Sequence, residues 1–139
     1  MLPELQFAIL DFNARYAQAL DDCRLEEWPG FFTASARYIV TTAENFEQNL
    51  PLGMIYVTSR AMLPDRVRSL REANIYEAQR YRHIVGLPLL EPTQDGATRT
   101  RTSFTVVRVM HSGESVVFAA GSYRDVIVTD ASDGALRFA

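Results

Sequence analysis

The side chains best suited to proton transfer are two adjacent carboxylates, one imidazole and three phenols. They are Asp21, Asp22, His83, Tyr16, Tyr38 and Tyr56. A buried carboxylate beside a histidine can move protons next to a carbonyl group, as isomerases and dehydratases do. The spacing matches no established motif. An alternative therefore stays open, in which the aspartates close a helix and His83 is a hydrogen-bonded strand residue.

Metal and nucleophile chemistry are restricted by the small number of suitable ligands. A facial triad needs two histidines and a carboxylate. The chain has only His83 and His111, and His111 lies at a Ser-Gly turn, where we expect it to be exposed. Cys23 is the only cysteine, which excludes an internal disulfide, a four-thiolate site and a Rieske centre within one copy. It carries no nucleophile motif and is interpreted as a small packed residue.

The charge composition excludes further classes of function. The chain has 14 arginines, no lysine and 17 acidic residues, with a net charge of −3. Schiff-base catalysis, a lysine-anchored pyridoxal cofactor and a Walker A loop all need a lysine amine. A nucleic-acid partner needs a cationic surface, so none is predicted. No run of about 18 apolar residues is present, so no membrane span is predicted either.

Arginines are concentrated on the predicted strands of the second half. They are Arg80, Arg82, Arg99, Arg101, Arg108 and Arg124. Guanidinium groups form bidentate pairs with carboxylates, often across interfaces. We therefore expect ion pairs between strands or between subunits rather than an anion-binding site.

Helices are predicted in the first half of the chain. Apolar residues spaced by three and four predict an amphipathic helix over residues 3–22, and a short helix interrupted by Pro29 follows over residues 25–32. Short strands are predicted over residues 36–42 and 54–57, separated by a polar irregular stretch. A third helix is predicted over residues 58–77, with Thr58 or Ser59 as N-cap candidates. Pro64 is expected either to lie within its first turns or to break it in two. The expected inner face of this helix is Met62, Val67, Leu70 and Ala73.

The second half is predicted to form four consecutive antiparallel strands. They cover residues 80–93, 97–111, 114–130 and 135–139, and three pairs that favour tight turns separate or adjoin them: Asp95-Gly96, Ser112-Gly113 and Asp133-Gly134. The strand over residues 97–111 would span about 50 Å if flat, at roughly 3.3 Å per residue, so it must curl. Both faces are apolar, so helices are expected to cover one and another subunit the other. The predicted architecture is one α+β domain over residues 1–139, with a cone-shaped, curved antiparallel sheet around a pocket.

Two blocks of sequence resemble a known family. The first is Leu20-Asp21-Asp22, Leu25, Trp28, Phe31-Phe32 and Tyr38. The second is Asp65-Arg66-Val67, Leu70 and Arg82-His83-Ile84-Val85. Together they resemble the small (β) subunit of aromatic-ring-hydroxylating dioxygenases over nearly the whole chain. The resemblance extends to subunits of enzymes that act on aromatic acids, including terephthalate-type dioxygenases.

The resemblance implies a nuclear-transport-factor-2-like fold and a mainly structural role. It implies a large α subunit that carries the Rieske cluster and the mononuclear iron, a hexamer of three α and three β chains with β–β trimer contacts, and electrons delivered to α by a reductase or ferredoxin. The reaction would add two hydroxyl groups to an aromatic ring, in the cytoplasm. No catalytic, cofactor or metal residue is then expected in this chain. The candidate interface or motif residues are Trp28, Asp65, Arg66, Arg82 and His83.

Two departures from the family pattern are visible, and two rival functions stay open. The family's C-terminal strand and tail are cut short after Ala139, and the loop over residues 43–51 differs from the expected one. The first rival is a stand-alone isomerase or dehydratase of the same fold, with Asp21, Asp22 and His83 as an acid–base pocket. The second is a small-molecule binding module without a reaction. The sequence does not specify the aromatic substrate or the regiochemistry.

Overall fold

The first helix provides one wall of the molecule. The computed structural model describes residues 2–49, 55–76 and 79–139, and α1 covers Leu2–Asp21, as predicted. Its buried face includes Ile9, Phe12 and Tyr16, spaced by three and four residues as an amphipathic helix requires. A Schellman-type turn ends it. The Arg24 N–H donates to the Ala19 carbonyl, which places Cys23 at the left-handed position (φ 58°) that usually holds glycine.

Cys23 is exposed, so its interpretation as a packed residue is wrong. The physical reason is the helix-ending turn, which directs the residue in the left-handed conformation toward solvent. The chain then enters a 3₁₀ helix over Leu25–Phe31 that contains Pro29, confirming a short second helix there. Leu25 and Trp28 are its buried residues.

A small two-stranded sheet lies between the second and third helical segments. Strands β1 (Tyr38–Val40) and β2 (Ile55–Val57) pair antiparallel. The stretch between them, predicted to be irregular, contains the helix α2 over Ala43–Glu47. Thr42 starts this helix, because its side-chain oxygen accepts the Asn45 N–H at 3.1 Å. Met54, the predicted first residue of the second strand, lies outside the described residues.

The third helical region is divided in two. A 3₁₀ turn covers Arg60–Met62 and α3 covers Leu63–Tyr76, so Pro64 occupies the first turn, as predicted. Neither N-cap candidate caps the helix by a side-chain bond: Ser59 makes none, and the Thr58 hydroxyl bonds the sulfur of Met62.

The predicted inner face of the third helix is partly wrong. Val67 is buried, but Met62 and Leu70 are 42% and 36% exposed. The helix starts at Leu63, which is buried, and Leu63 and Val67 four residues later set the inner stripe. The side chain of Ala73 lies outside the described part of the chain.

The second half forms a five-stranded antiparallel sheet in the described residues. Its strands are β3 (Gln79–Val85), β4 (Leu89–Pro92), β5 (Thr98–Met110), β6 (Ser115–Thr129) and β7 (Leu136–Phe138). The order is β3-β5-β6-β7, and β4 continues along β5 beyond β3. The single strand predicted over residues 80–93 is therefore two strands. Gly86 still donates to the Ser103 carbonyl, but buried Pro88 has no N–H to continue the ladder.

A β-bulge and three tight turns accompany the curvature that was predicted for the long strands of the sheet. The β5–β6 register shifts between Val106 and Val107, and such bulges increase the local twist and bend. Gly96, Gly113 and Gly134 all have positive φ, which confirms the three predicted turns. The curled sheet forms a half-barrel, so the predicted α+β, nuclear-transport-factor-2-like architecture is confirmed.

The two faces of the sheet have different surroundings. On the concave face, Thr98, Thr100 and Thr102 are buried, and α1 packs across β3. On the convex face, Ile84 is 61% exposed and Val117 is 68% exposed. The prediction that helices cover one face is confirmed, whereas the expected cover on the other remains a prediction.

Candidate functional site

Asp21 and His83 come together, as one sequence hypothesis required. Asp21 is the last residue of α1, and its Oδ2 accepts the backbone N–H of His83 on β3 at 2.9 Å. Its Oδ1 lies 2.6 Å from His83 Nδ1. The Asp21 side chain is 1% exposed and that of His83 is 16% exposed. The pair thus fastens the end of the helix to the sheet and satisfies the buried carboxylate.

Asp22 does not join this pair. Its side chain is 52% exposed and lies 3.6 Å from Arg24. The two neighbouring aspartates therefore have different surroundings, because α1 ends between them and the following turn faces solvent. An acid–base pocket containing both carboxylates is not formed.

The three candidate tyrosines also separate. Tyr16 is buried, and its hydroxyl accepts the Trp28 indole N–H at 3.0 Å. Burial raises the pKa of Tyr16 well above its ordinary value and also raises the pKa of Tyr38, which a hydrogen bond from Tyr16 partly opposes. Tyr56 is 43% exposed and accepts from Arg37 at 2.7 Å. Of these three tyrosines, Tyr16 and Tyr38 belong to the interior and Tyr56 does not.

A cavity of about 190 Å³ lies between α1, β1 and β6. Its polar lining includes Asn13, Tyr16, Tyr38, Tyr123 and Asp125. Phe32 and Phe138 contribute aromatic walls. Neither Asp21 nor His83 lines it. The sequence hypothesis therefore identified two lining tyrosines but placed the carboxylate and the histidine incorrectly.

Asp125 is the carboxylate of the cavity lining that sequence reasoning missed. It is opposite Thr100 in the β5–β6 register, and Tyr123 is opposite Thr102. Both threonines are buried, so Tyr123 and Asp125 share their concave face. The available signal was parity, because Asp125 is two residues before the buried Ile127 and a strand residue at that position points to the same side.

The electrostatics of the cavity favour neutral groups. Burial raises the pKa of Asp125 to about 7, because a carboxylate loses hydration in the interior. The pKa of Tyr123 is raised as well, mainly by burial and further by Tyr38, Asp125 and Asp21. Near neutral pH the interior therefore presents phenols and a carboxyl group that is protonated in a large fraction of molecules.

Buried polar atoms without partners occur on and near this lining. Within the described residues, the Asn13 side-chain nitrogen and the hydroxyls of Thr100 and Thr102 have no hydrogen-bond partner. Asn13 is only 3% exposed and lines the cavity. Because an unpaired buried polar group is costly, this interior fits a polar occupant.

The remaining candidate residues are dispersed. Trp28 is 4% exposed, which favours a core role over direct contact with a partner. Asp65 is exposed and lies 3.7 Å from Arg68. Arg66 is half-buried, and its charge partly opposes the rise that burial causes in the pKa of Tyr38. Arg82 is exposed on the convex face, opposite Val107.

The arginines predicted to pair between strands form no ion pair with any described residue. Arg108 instead lies over the ring of Phe118 at 5.5 Å, and Arg124 lies over Phe46 at 4.8 Å. Among the described residues the prediction of pairing between strands is wrong, because the register places Arg101 opposite Arg124 and Arg82 opposite Val107. Pairing between subunits remains a prediction.

His111 is exposed at its turn, as predicted. Across residues 2–49, 55–76 and 79–139, no three or more His, Cys, Asp or Glu side chains are grouped as a metal site would require.

None of the described helices is both long and apolar enough to cross a membrane.

Comparison with known proteins supplies the remaining evidence. The SnoaL-like domain family matches residues 4–139. The chain is 45% identical to a β subunit of the terminal oxygenase component of terephthalate 1,2-dioxygenase from Comamonas sp., over 99% of this chain and 86% of that one. It is 41% identical to the small subunit of anthranilate 1,2-dioxygenase from Burkholderia cepacia, over 88% of this chain and 76% of that one.

A solved structure agrees with these relatives. It is described as the β subunit of an aromatic-ring-hydroxylating dioxygenase from Novosphingobium aromaticivorans. It has a TM-score of 0.87 and 36% sequence identity, covering 99% of this chain and 86% of that chain. The chain therefore belongs to the SnoaL-like domain family and, within it, to the small (β) subunits of aromatic-ring-hydroxylating dioxygenases.

Proposed function

We propose that this chain is the small subunit of a terminal oxygenase component that dihydroxylates an aromatic acid. The observation that carries the proposal is the 45% identity, over 99% of the chain, to a terephthalate dioxygenase β subunit. A second relative is named for anthranilate. Terephthalate and anthranilate are both one-ring aromatic carboxylates, and this shared chemistry supports an aromatic acid as the substrate class.

In this proposal the chain is a non-catalytic subunit, and a large α subunit performs the oxygen chemistry. One cysteine and two histidines are too few to hold both a Rieske cluster, with two Cys and two His, and a mononuclear iron site. The α subunit would carry both centres and receive electrons from a reductase or ferredoxin. The assembly would operate in the cytoplasm.

The convex face of the sheet is the proposed assembly surface. It exposes apolar side chains such as Ile84 and Val117 beside arginines that have no carboxylate partner in the described residues, including Arg82. Apolar patches with arginine are typical of protein interfaces. Three α and three β chains, with β–β contacts through this face, form the proposed hexamer.

The stand-alone isomerase or dehydratase is the less favoured alternative. Its acid–base pair exists, with 2.6 Å between Asp21 Oδ1 and His83 Nδ1. However, neither residue lines the interior cavity, where a substrate carbonyl would have to lie for proton transfer.

Expression of the large subunit from the same organism, with and without this chain, tests the proposal. We expect the large subunit to accumulate as a stable, active protein only when this chain is co-expressed, and the two to co-purify. A large subunit that is equally stable and active without this chain would contradict the proposed role.

A further inference from the structure

The cavity between α1, β1 and β6 can hold a single aromatic ring. Its volume of about 190 Å³ exceeds that of an engineered apolar cavity of about 150 Å³ that binds benzene. Phe32 and Phe138, with ring centroids 5.4 Å apart, form aromatic walls. Aromatic side chains pack well against a further ring in offset or edge-to-face contact, so a one-ring compound suits both the volume and the walls.

Strand geometry determines which polar side chains point into this cavity. Asp125 is opposite buried Thr100 in the β5–β6 register, so its side chain lies on the concave side. Tyr38 is opposite buried Val57 in the β1–β2 register, so its side chain points inward as well. The Asp125 charge contributes to the raised pKa of Tyr38, as expected for two groups that share one cavity.

Two arginines border the lining but point away from the interior. Arg124 directly precedes Asp125 on β6, so its side chain lies on the convex side, over the ring of Phe46 at 4.8 Å. Arg37 donates to the hydroxyl of Tyr56, an exposed residue. The described lining therefore directs no guanidinium group into the cavity. An anionic ligand would lie beside Asp125 without a counter-charge, which is costly in the interior, so a neutral ligand is favoured.

The inward-pointing groups of the cavity are mostly hydrogen-bond donors. The Trp28 indole N–H can only donate, and it donates to the Tyr16 oxygen at 3.0 Å. Tyr16 in turn donates to Tyr38, and this bond partly opposes the rise in the pKa of Tyr38. The proton of Tyr38 itself is thus free for a ligand. Asp125 supplies a second O–H near neutral pH, because burial raises its pKa to about 7. The buried Asn13 side-chain nitrogen is a further donor of the lining without a partner among the described residues.

We propose that this cavity binds a neutral, one-ring aromatic carbonyl compound, whose carbonyl oxygen accepts from the Tyr38 hydroxyl and the Asp125 carboxyl group. A carbonyl oxygen has two lone pairs and no proton, so it satisfies both donors, whereas a ligand hydroxyl group brings a further donor. The ring of the ligand lies against Phe32 and Phe138. The site goes beyond the proposed function and does not rest on it, because all of its residues belong to this chain.

Acetophenone and benzoate are a matched pair of probes, because both are one-ring molecules of similar shape and only benzoate is charged at pH 6. Trp28 is the single tryptophan and its ring contacts that of Tyr38, with centroids 5.4 Å apart. Its indole N–H resonance in a ¹H–¹⁵N spectrum therefore reports on the site. We expect acetophenone to shift this resonance of the full chain saturably at pH 6, and benzoate to bind at least tenfold more weakly. The absence of a saturable shift with acetophenone, or equal affinity for the two probes, overturns the proposal.

The proposed donor role of Asp125 predicts how the affinity depends on pH. The titratable and charged groups around its cavity are the phenols of Tyr16, Tyr38 and Tyr123 and the guanidinium groups of Arg37 and Arg124. Burial raises the pKa of all three phenols, and guanidinium groups stay protonated, so between pH 6 and 9 the group of this set that changes charge is Asp125. We expect the affinity of the unaltered chain for acetophenone to fall above pH 7, approaching tenfold per pH unit, because the ionised carboxylate no longer donates.

Asp125→Asn provides the control for this pH dependence. The amide keeps an N–H donor and does not titrate, so the affinity of the variant for acetophenone should stay constant from pH 6 to pH 9. An affinity of the unaltered chain that does not change with pH, or the same fall in the variant, overturns the proposal.

Two tyrosine variants of the two-stranded sheet localise the hydrogen bond. Tyr38→Phe removes the inward hydroxyl and should weaken acetophenone binding about fivefold. The matched control Tyr56→Phe removes a hydroxyl from a 43% exposed residue of the neighbouring strand and should leave the affinity unchanged. Toluene has no acceptor oxygen, so Tyr38→Phe should not weaken its binding. Equal losses of acetophenone affinity in the two variants, or an equal loss for toluene and acetophenone in Tyr38→Phe, overturn the proposal. The comparison of acetophenone with benzoate uses the unaltered chain, so it decides the matter even if Tyr38→Phe does not fold.

Discussion

The Asp21 carboxylate accepts the backbone N–H of His83 at 2.9 Å and contacts His83 Nδ1 at 2.6 Å, across 62 residues of chain. One side chain thus satisfies two polar groups on β3 and fixes where α1 ends against the sheet.

Removing this carboxylate should destabilise the fold. We expect Asp21→Ala to lower the free energy of unfolding by about 1–3 kcal/mol, because it leaves the partly buried His83 N–H without its acceptor. Asp21→Asn keeps an acceptor oxygen and should cost less. Urea denaturation measures both changes. The exposed neighbour is the control, and a loss in Asp22→Ala as large as that in Asp21→Ala would contradict this role.

The buried Tyr16 hydroxyl should matter more than the exposed Tyr56 hydroxyl. Tyr16→Phe leaves the Trp28 indole N–H without the acceptor it has at 3.0 Å, and we expect it to cost about 1–3 kcal/mol of unfolding free energy. Tyr56→Phe removes the same atom at a 43% exposed residue, where water replaces it, and should cost little. Thermal and urea unfolding of the two variants provide the comparison. Equal losses of unfolding free energy would show that burial adds nothing to the contribution of the Tyr16–Trp28 hydrogen bond.

Asp125 should make stability depend on pH in an unusual direction. The folded chain retains this proton up to a pKa of about 7, whereas the ordinary value is 3.8. Between these values the unfolded state binds fewer protons, so this group lowers stability as the pH rises, by roughly 4 kcal/mol at most. Asp125→Asn carries no charge and removes this contribution.

The measurement is the unfolding free energy of both proteins from pH 4 to pH 8. Carboxylates with lowered pKa, such as Asp95 and Asp133, are present in both and cancel in the comparison. We expect the variant to gain stability relative to the unaltered chain as the pH rises toward 8. Parallel curves would show that Asp125 ionises as freely in the folded chain as in the unfolded one.

Arg82 should act on assembly and not on folding. It is exposed on the convex face, so Arg82→Ala should leave the unfolding free energy of the chain nearly unchanged but weaken the complex with the large subunit. Arg15→Ala, which removes an exposed arginine from α1, is the matched control. Analytical ultracentrifugation of the two complexes measures the difference. Equal sedimentation of both variants and the unaltered complex would remove Arg82 from the proposed interface.

The sequence predicted elements whose signals are local. The apolar spacing of α1 and the Asp-Gly and Ser-Gly turns depend on nearby residues alone, and the structure confirms them. The short helix α2 was missed because its polar residues favour no particular element. Its stabilising contact is a single N-cap bond, which the Thr42 side chain accepts. The break between β3 and β4 was missed although Pro88, which has no N–H to continue the ladder, was a local signal for it.

The candidate site was only partly predictable from local signals. Asp21 and His83 were identified by residue type, and their contact is real, but the cavity lies elsewhere. Its position depends on the curl of β5 and β6, which turns Tyr123 and Asp125 inward beside Tyr16. Strand parity could have suggested Asp125, whereas the enclosing wall of α1 and β1 could not be read from local patterns.

Native mass and iron content of the complex purified after co-expression with the large subunit test the central claim most directly. We predict a hexamer with equal numbers of large and small chains, iron that remains with the large subunit on dissociation, and no iron in this chain alone. Stoichiometric iron bound by the isolated chain, or turnover of an aromatic compound by it without a partner, would contradict the account.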